Sequence, residues 1–327
     1  KGKSLYPSTV KEQEIKGIVI DSQAPRLSIS YDNNAVHHGR YFSSARTATV
    51  TLIDPIFDLL KSADPSARVV TVTHDRTKQS VSADKFTPIP GHPGLWAAQV
   101  ACRSDGQWEI SASLVHPTGL SASAQSPLFI IDTVKPLASL TFNNNDSRSG
   151  NYYKANRIAL IRISDRNINL AATHIVVTAK DQNGKVLPAP AASAWTVTSS
   201  PDSKEKIYSA TVAFTQECHY TISLSSSDFA DNSSQKLTEP EFIIDKTLPE
   251  LTIGKVADKT AYADHIAPRI LSTDKNLDSA LTTYQLTASH HSGTMIFYPQ
   301  VHRTSTSQEV IYGDFPHELK YDDLYTL

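Results

Sequence analysis

A block of seven residues recurs three times along the 327-residue chain, and no other feature constrains its fold as tightly. It reads Val19-Ile20-Asp21-Ser22-Gln23-Ala24-Pro25, then Ile130-Ile131-Asp132-Thr133-Val134-Lys135-Pro136, then Ile243-Ile244-Asp245-Lys246-Thr247-Leu248-Pro249. Each copy is an apolar strand end, an Asp, three residues and a Pro. The aspartates stand 111 and 113 residues apart. Self-similarity at a fixed spacing marks one structural unit used repeatedly.

The likeness continues past each Pro. Leu27 to Asn34 matches Ala138 to Asn145, both ending in an Asn-rich turn. Arg46-Thr47-Ala48-Thr49-Val50-Thr51-Leu52 matches Arg157-Ile158-Ala159-Leu160-Ile161-Arg162-Ile163. An acidic turn follows in all three copies, opening on Asp54, Asp165 and Asp274. Twelve residues before it stands an aromatic: Phe42, Tyr153 and Tyr262. Copy three lacks the Arg and has Ile266 there. At an offset of 112, Trp96 pairs with Tyr208 and Trp108 with Tyr220. These residues, with Asp21, Pro25, Asp132, Pro136, Asp245, Pro249, Arg46 and Arg157, are the expected anchors of the repeat. The pattern predicts residues 1–21 as the last-strand region of a preceding domain. Residues 22–132 and 133–245 are two full repeats. Residues 246–327 are a third that stops before its last strand, so the chain reads as a window on a longer array.

Alternation with period two dominates each copy, as in Arg46 to Leu52 and Tyr220 to Leu224. Turn signals such as Asp105-Gly106 and Asn183-Gly184 separate the runs. Helical periodicity is confined to single turns at Ile56–Leu60 and Leu277–Leu281. About seven short strands per repeat predict an all-β chain of tandem immunoglobulin-like sandwiches. The Cys…Trp…Cys signature of antibody-type domains is missing. Trp96 and Trp108 are expected in the core, and so is Cys102. Three residues between Asp and Pro leave a linker little freedom, because Pro fixes φ and biases the residue before it to extended backbone. Stiff articulation of an elongated array follows, with three units spanning on the order of 100 Å at ~3.3 Å per strand residue.

Charge is balanced, 31 Lys and Arg against 33 Asp and Glu, which argues against a nucleic-acid or anionic-membrane binder. No apolar run approaches the ~18–20 residues of a membrane helix. Two cysteines do not make a disulfide scaffold.

The Ile-Asp-x3-Pro block, the Asn-rich turn, the Tyr/Phe-x3-Arg strand and the acidic turn resemble the tandem bacterial Ig-like repeats of large Gram-positive surface proteins. Asp228-Phe229-Ala230-Asp231-Asn232 is similar to that family's Asp-x-Ala-Gly-Asn turn, with Asp231 in the Gly position; copy one has His116-Pro117-Thr118-Gly119 instead. The resemblance implies an extracellular, cell-wall or secreted location. It also implies a non-catalytic spacer or stalk that presents another domain away from the surface. An adhesin module for a host glycan or protein and an accessory region of a large extracellular enzyme are the alternatives. Partners expected are the neighbouring Ig-like domains of the same chain, in a monomer without nucleic acid or a membrane span.

No catalytic residues are expected: there is no Gly-x-Ser-x-Gly elbow and no recurring Cys–His pair. No cofactor is expected beyond a structural Ca²⁺, whose oxygen ligands would come from acidic residues at the linkers: Asp132, Asp245, Asp228, Asp231 and Asp165. The competing role for each is a turn cap accepting backbone N–H bonds. The pairs His37-His38 and His290-His291 read as solvated loop residues. Tyr41-Phe42 and Tyr152-Tyr153 place one ring inward and one outward, and an outward ring could stack on a sugar.

Overall fold

In the computed structural model the alternating segments Arg46 to Leu52 and Tyr220 to Leu224 lie in strands that bury every second side chain. The structure describes residues 20–147, 149–199, 204–263, 266–288, 299–312 and 324–327. The strand expected within residues 1–19 and the pair His290-His291 lie outside them. Two compact units emerge. The first holds the chain through Pro136 together with Asp165–Ala172 and Ser227–Ser234, and the second holds the remainder.

The first unit contains β1 (Arg26–Tyr31), β2 (Tyr41–Phe42), β3 (Arg46–Ile53), the helix α1 (Phe57–Ala63), β4 (Arg68–His74), β5 (Thr77–Ser82), β6 (Thr87–Pro88), β7 (Leu95–Cys102), β8 (Gly106–Val115), β9 (Ser121–Gln125) and β10 (Phe129–Ile131). One sheet runs β1-β3-β7-β6 and the other β2-β10-β8-β4-β5, with β9 also on β8. Ala48, Val50 and Leu52 of β3 face Trp108, Ile110 and Ala112 of β8 in one buried core, and Cys102 lies in it too. Packing two inner faces in this way is the sandwich solution for half-apolar strands. The turn after β3 grows into α1, whose one buried side chain is Phe57. Its ring meets Phe86 at 5.5 Å and Trp96 at 5.4 Å, both edge to face. Burying that ring contributes about 2–3 kcal/mol.

The second unit contains β11 (Leu137–Phe142), β12 (Tyr152–Tyr153), β13 (Arg157–Asp165), β14 (Ile168–Lys180), β15 (Thr196–Ser199), β16 (Lys206–Phe214), β17 (His219–Asp228) and β18 (Leu237–Ile244). The ends of β13, β14 and β17 that carry Asp165, Ile168 and Asp228 group with the first unit. Its sheets run β11-β13-β16-β15 and β12-β18-β17-β14. β19 (Glu250–Gly254), β20 (Arg269–Thr273), β21 (Thr287–Ala288), β22 (Gln300–Arg303), β23 (Ser307–Ile311) and β24 (Tyr325–Thr326) follow. They form the sheet β19-β20-β23-β22 and the pair β21-β24. A smaller core of Ile270, Leu286, Val310 and Tyr312 sits there. The chain is thus mostly strand, with several largely antiparallel sheets pairing into β-sandwiches. Helix is confined to α1 and a single 3-10 turn among the described residues. Around Leu277–Leu281 a hydrogen-bonded turn forms instead, closed by Leu281 N–H on the Asp278 carbonyl at 3.2 Å.

The strand ends of the second and third blocks pair in parallel with the short aromatic strands. Ile130 and Ile131 lie against Tyr41 and Phe42, and Ile243 and Ile244 against Tyr152 and Tyr153. The next N–H, of Asp132 or Asp245, donates to the Phe42 or Tyr153 carbonyl at 2.9 Å. Across this seam lies the repeated arginine. The Arg46 guanidinium carbon is 3.8 Å from the Tyr31 and Phe42 ring centroids and 4.6 Å from Phe129. Arg157 is likewise 3.9 Å from Phe142 and Tyr153 and 4.5 Å from Phe242. Each Nε donates to the Asn-rich turn, Arg46 to the Asn33 carbonyl at 2.8 Å and Arg157 to that of Asn144 at 2.9 Å. Planar stacking with fixed donors is what a guanidinium supplies and an ammonium does not. Copy three has no such arginine, and there Tyr262 is 47 % exposed. Trp96, Trp108 and Tyr220 are buried and Tyr208 is half-buried. Pro25 and Pro136 are buried, whereas Pro249 is exposed.

Candidate functional site

Several strands that lead into a linker or an acidic turn end on an aspartate or just before one, and three such ends converge. Asp132 follows β10, Asp165 closes β13 and Asp228 closes β17. Their carboxylate oxygens lie within 4.8 Å of one another, and all three residues are buried. All three belong to the first unit.

Each carboxylate first caps its own turn. Asp132 Oδ1 accepts the Val134 N–H at 3.2 Å, and Asp165 Oδ1 accepts that of Asn167 at 2.6 Å. Asp228 Oδ1 accepts from the N–H groups of Ala230 at 2.8 Å and Asn232 at 2.9 Å. This is the ordinary use of Asp at a turn. The second oxygens meet side-chain amides. Asn167 Nδ2 donates to Asp132 Oδ2 at 2.5 Å, and Asn232 Nδ2 donates to Asp228 Oδ2 at 2.7 Å and to the Asp132 carbonyl at 2.8 Å. Burial, and next to it the Asp132 charge, hold the Asp228 carboxyl above the usual carboxylate range despite its donors from Asn232 and Ala230. An all-oxygen set of buried carboxylates and a backbone carbonyl suits a hard cation such as Ca²⁺ rather than zinc or copper.

Two of the five aspartates expected to bind Ca²⁺ stand elsewhere. Asp231 turns outward, and its Oδ2 meets His37 Nδ1 at 2.7 Å. Its φ of 63° explains the glycine of similar turns, since Gly enters the left-handed region at little cost. Asp245 belongs to the second unit. There Asn276 Nδ2 donates to Asp245 Oδ2 at 2.9 Å, the same clasp that Asn167 makes on Asp132. Asp274 Oδ1 accepts the Asn276 N–H at 2.7 Å, and its Oδ2 is buried without a hydrogen-bond partner among the described residues. The position of these asparagines is a sequence motif, an Asn two residues after the acidic-turn Asp, but their clasp on the linker aspartate is visible only in the fold.

His37 is half-buried and His38 is an exposed turn residue, and both make contacts. Besides the His37–Asp231 contact, His38 Nδ1 lies 2.9 Å from the Phe229 carbonyl oxygen, and the Phe229 ring stacks on Tyr41 at 5.2 Å. The outward ring of the Tyr41-Phe42 strand is therefore half-buried, with one face against Phe229.

No family model matches the chain, and no curated protein matches it in sequence. Among solved structures it is similar to the fibronectin(III)-like modules of Clostridium thermocellum CbhA, at 14 % identity and a TM-score of 0.23 over 66 % of this chain and 94 % of that one. It is also similar to the major pilin subunit BcpA of Bacillus cereus, at 8 % identity and 0.23 over 62 % and 71 %. A third is dimeric latent PorU of Porphyromonas gingivalis, at 12 % identity and 0.22 over 76 % of this chain and 26 % of that one. No helix among the described residues is long and apolar enough to cross a membrane.

Proposed function

We propose that the chain is a non-catalytic spacer segment of a bacterial cell-surface or secreted protein, built from Ig-like repeats at 22–132, 133–245 and 246–327. The observation that carries this is the repeated clasp. In two successive copies the linker aspartate is tied to the acidic turn that follows it, Asp132 by Asn167 and Asp245 by Asn276. What recurs is therefore the fastening of linkers and the stacked arginine, not a set of reacting groups. The solved structures named above include bacterial modules and a pilin, in keeping with an extracellular setting. Under this reading Asp132, Asp165 and Asp228 are the place for a structural Ca²⁺ that adds stiffness at one linker.

Small-angle scattering of the full chain tests the reading. An elongated particle on the order of 100 Å long is expected. Asn167→Ala with Asn276→Ala should shorten the mean end-to-end distance by loosening both linkers. A compact particle, or a length unmoved by the double variant, would sink the proposal.

A further inference from the structure

Copy one departs from the clasp just described. Ile56 stands where the later copies have asparagine, so no side-chain amide reaches Asp21. Instead His116, at the position of Asp228, inserts its ring between two carboxylates. Its Nδ1 lies 2.8 Å from Asp21 Oδ2 and its Nε2 lies 2.7 Å from Asp54 Oδ2. The side chains are shut from water: the ring is 0 % exposed, Asp21 5 % and Asp54 1 %.

The geometry dictates the proton count. An ionised carboxylate only accepts hydrogen bonds, and a neutral imidazole has one N–H and one lone pair. With Asp21 and Asp54 both ionised, two acceptors at hydrogen-bond distance from the two ring nitrogens call for hydrogen on both. We propose that His116 is a pH latch: an imidazolium that fastens the linker residue Asp21 to the acidic turn at Asp54 and releases it when the ring loses a proton.

Asp21 is the side that lets go. Asp54 is held by its Oδ1 on the Ile56 N–H at 3.0 Å and by its own N–H on the Gly94 carbonyl at 2.7 Å. Among the described residues Asp21 has, besides the ring, only an exposed contact to the Gln23 N–H at 3.2 Å. Among the described residues these two carboxylates are the charged groups facing the imidazole. The turn that carries it offers backbone alone, His116 N–H to the Leu120 carbonyl at 2.8 Å and Gly119 N–H to the His116 carbonyl at 2.9 Å. Burial opposes the charged ring, but the hydrogen bonds and charges of Asp21 and Asp54 outweigh it, so His116 keeps its proton above the ordinary histidine value. A raised folded-state value means that the latch is fully formed below ~6.5, the unfolded value, and is lost as pH rises through the folded one. The second copy uses an amide that does not titrate in this range, so the latch is confined to the Asp21 linker.

The proposal rests on reading Asp21 as a linker residue but not on the length of the particle, so it can fail while the spacer reading stands. The test is an NMR titration of the uniformly nitrogen-15-labelled full chain, from about pH 6 to about pH 9. His116→Gln assigns the ring signals. Expected are two protonated ring nitrogens at neutral pH and a midpoint above that of the exposed histidines. The amide signals of Ser22 and Gln23 should move with the same midpoint, and in His116→Gln they should not. Should His116→Gln fail to fold, Asp21→Asn replaces it and should lower the midpoint. A ring with one N–H at neutral pH would overturn the latch. So would a midpoint at or below that of exposed histidines, or linker signals that titrate unchanged in either variant.

Discussion

At the scale of single residues, the repeat is built around a buried arginine that shares the inward face of its strand with apolar residues, Arg46 with Ala48, Val50 and Leu52, and Arg157 with Ala159, Ile161 and Ile163. Arg157 is 1 % exposed, and its two ends are fixed by different elements. The Asn-rich turn takes Nε, and the same turn with Glu239 takes Nη2, at 3.2 Å from Asn145 Oδ1 and 3.4 Å from Glu239 Oε1. Three rings cover its plane. A lysine would keep the charge but lose the stacking and the second donor. Arg157→Lys should therefore cost about 2 kcal/mol, read as a shift in the urea midpoint at unchanged slope. A shift under about 0.5 kcal/mol would show that the rings alone hold the seam. That Arg46 and Arg157 recur was plain in the sequence. Their phase with the inward apolar residues was legible there too; how the buried charge is satisfied was not, since the Asn-rich turn and the aromatic strand meet it from opposite sides.

At the scale of elements, the hairpin between β4 and β5 meets the start of β8 in a way that tolerates only glycine. Asp75 and Arg76 both take left-handed backbone, at φ 44° and 74°, as a two-residue hairpin requires. Asp75 Oδ1 then accepts the Gln107 N–H at 2.9 Å. This draws the hairpin over Gly106, whose φ is 140° and where an added Cβ would sit 2.6 Å from both Asp75 Oδ2 and His74 Nε2. Gly106→Ala should cost about 2 kcal/mol or more, from backbone strain and from the displaced hairpin together. Calorimetry would show it as a lowered Tm, and an unchanged Tm would mean that the hairpin is free to shift. Asp105-Gly106 reads in the sequence as an ordinary turn signal. The close approach that makes the glycine necessary comes from a hairpin about 30 residues away.

At the scale of the molecule, two units with separate cores should not unfold as one. Two calorimetric transitions are expected, with Gly106→Ala lowering only that of the first unit. If Ca²⁺ occupies the Asp132, Asp165 and Asp228 cluster, it should raise that same transition. A concentration 100-fold over Kd would add about 2.7 kcal/mol. Asp228→Ala should remove the response, and an unmoved transition in millimolar Ca²⁺ would leave the three aspartates as turn caps.

The sequence by itself determined the period of the repeat, the all-β class and the residues that would recur at each linker, because those depend on patterns local to a strand or a turn. It also marked Asp132, Asp165 and Asp228 as acidic turn and linker residues. Only the tertiary structure decided that these three meet while Asp231 turns away to His37 and Asp245 pairs with Asn276. It alone showed His116 filling, between Asp21 and Asp54, the place that Asp228 holds in the next copy. The reason is distance along the chain. Asp132 and Asp228 are 96 residues apart and His116 and Asp21 are 95 apart, and such pairs are brought together by sandwich topology rather than by local pattern.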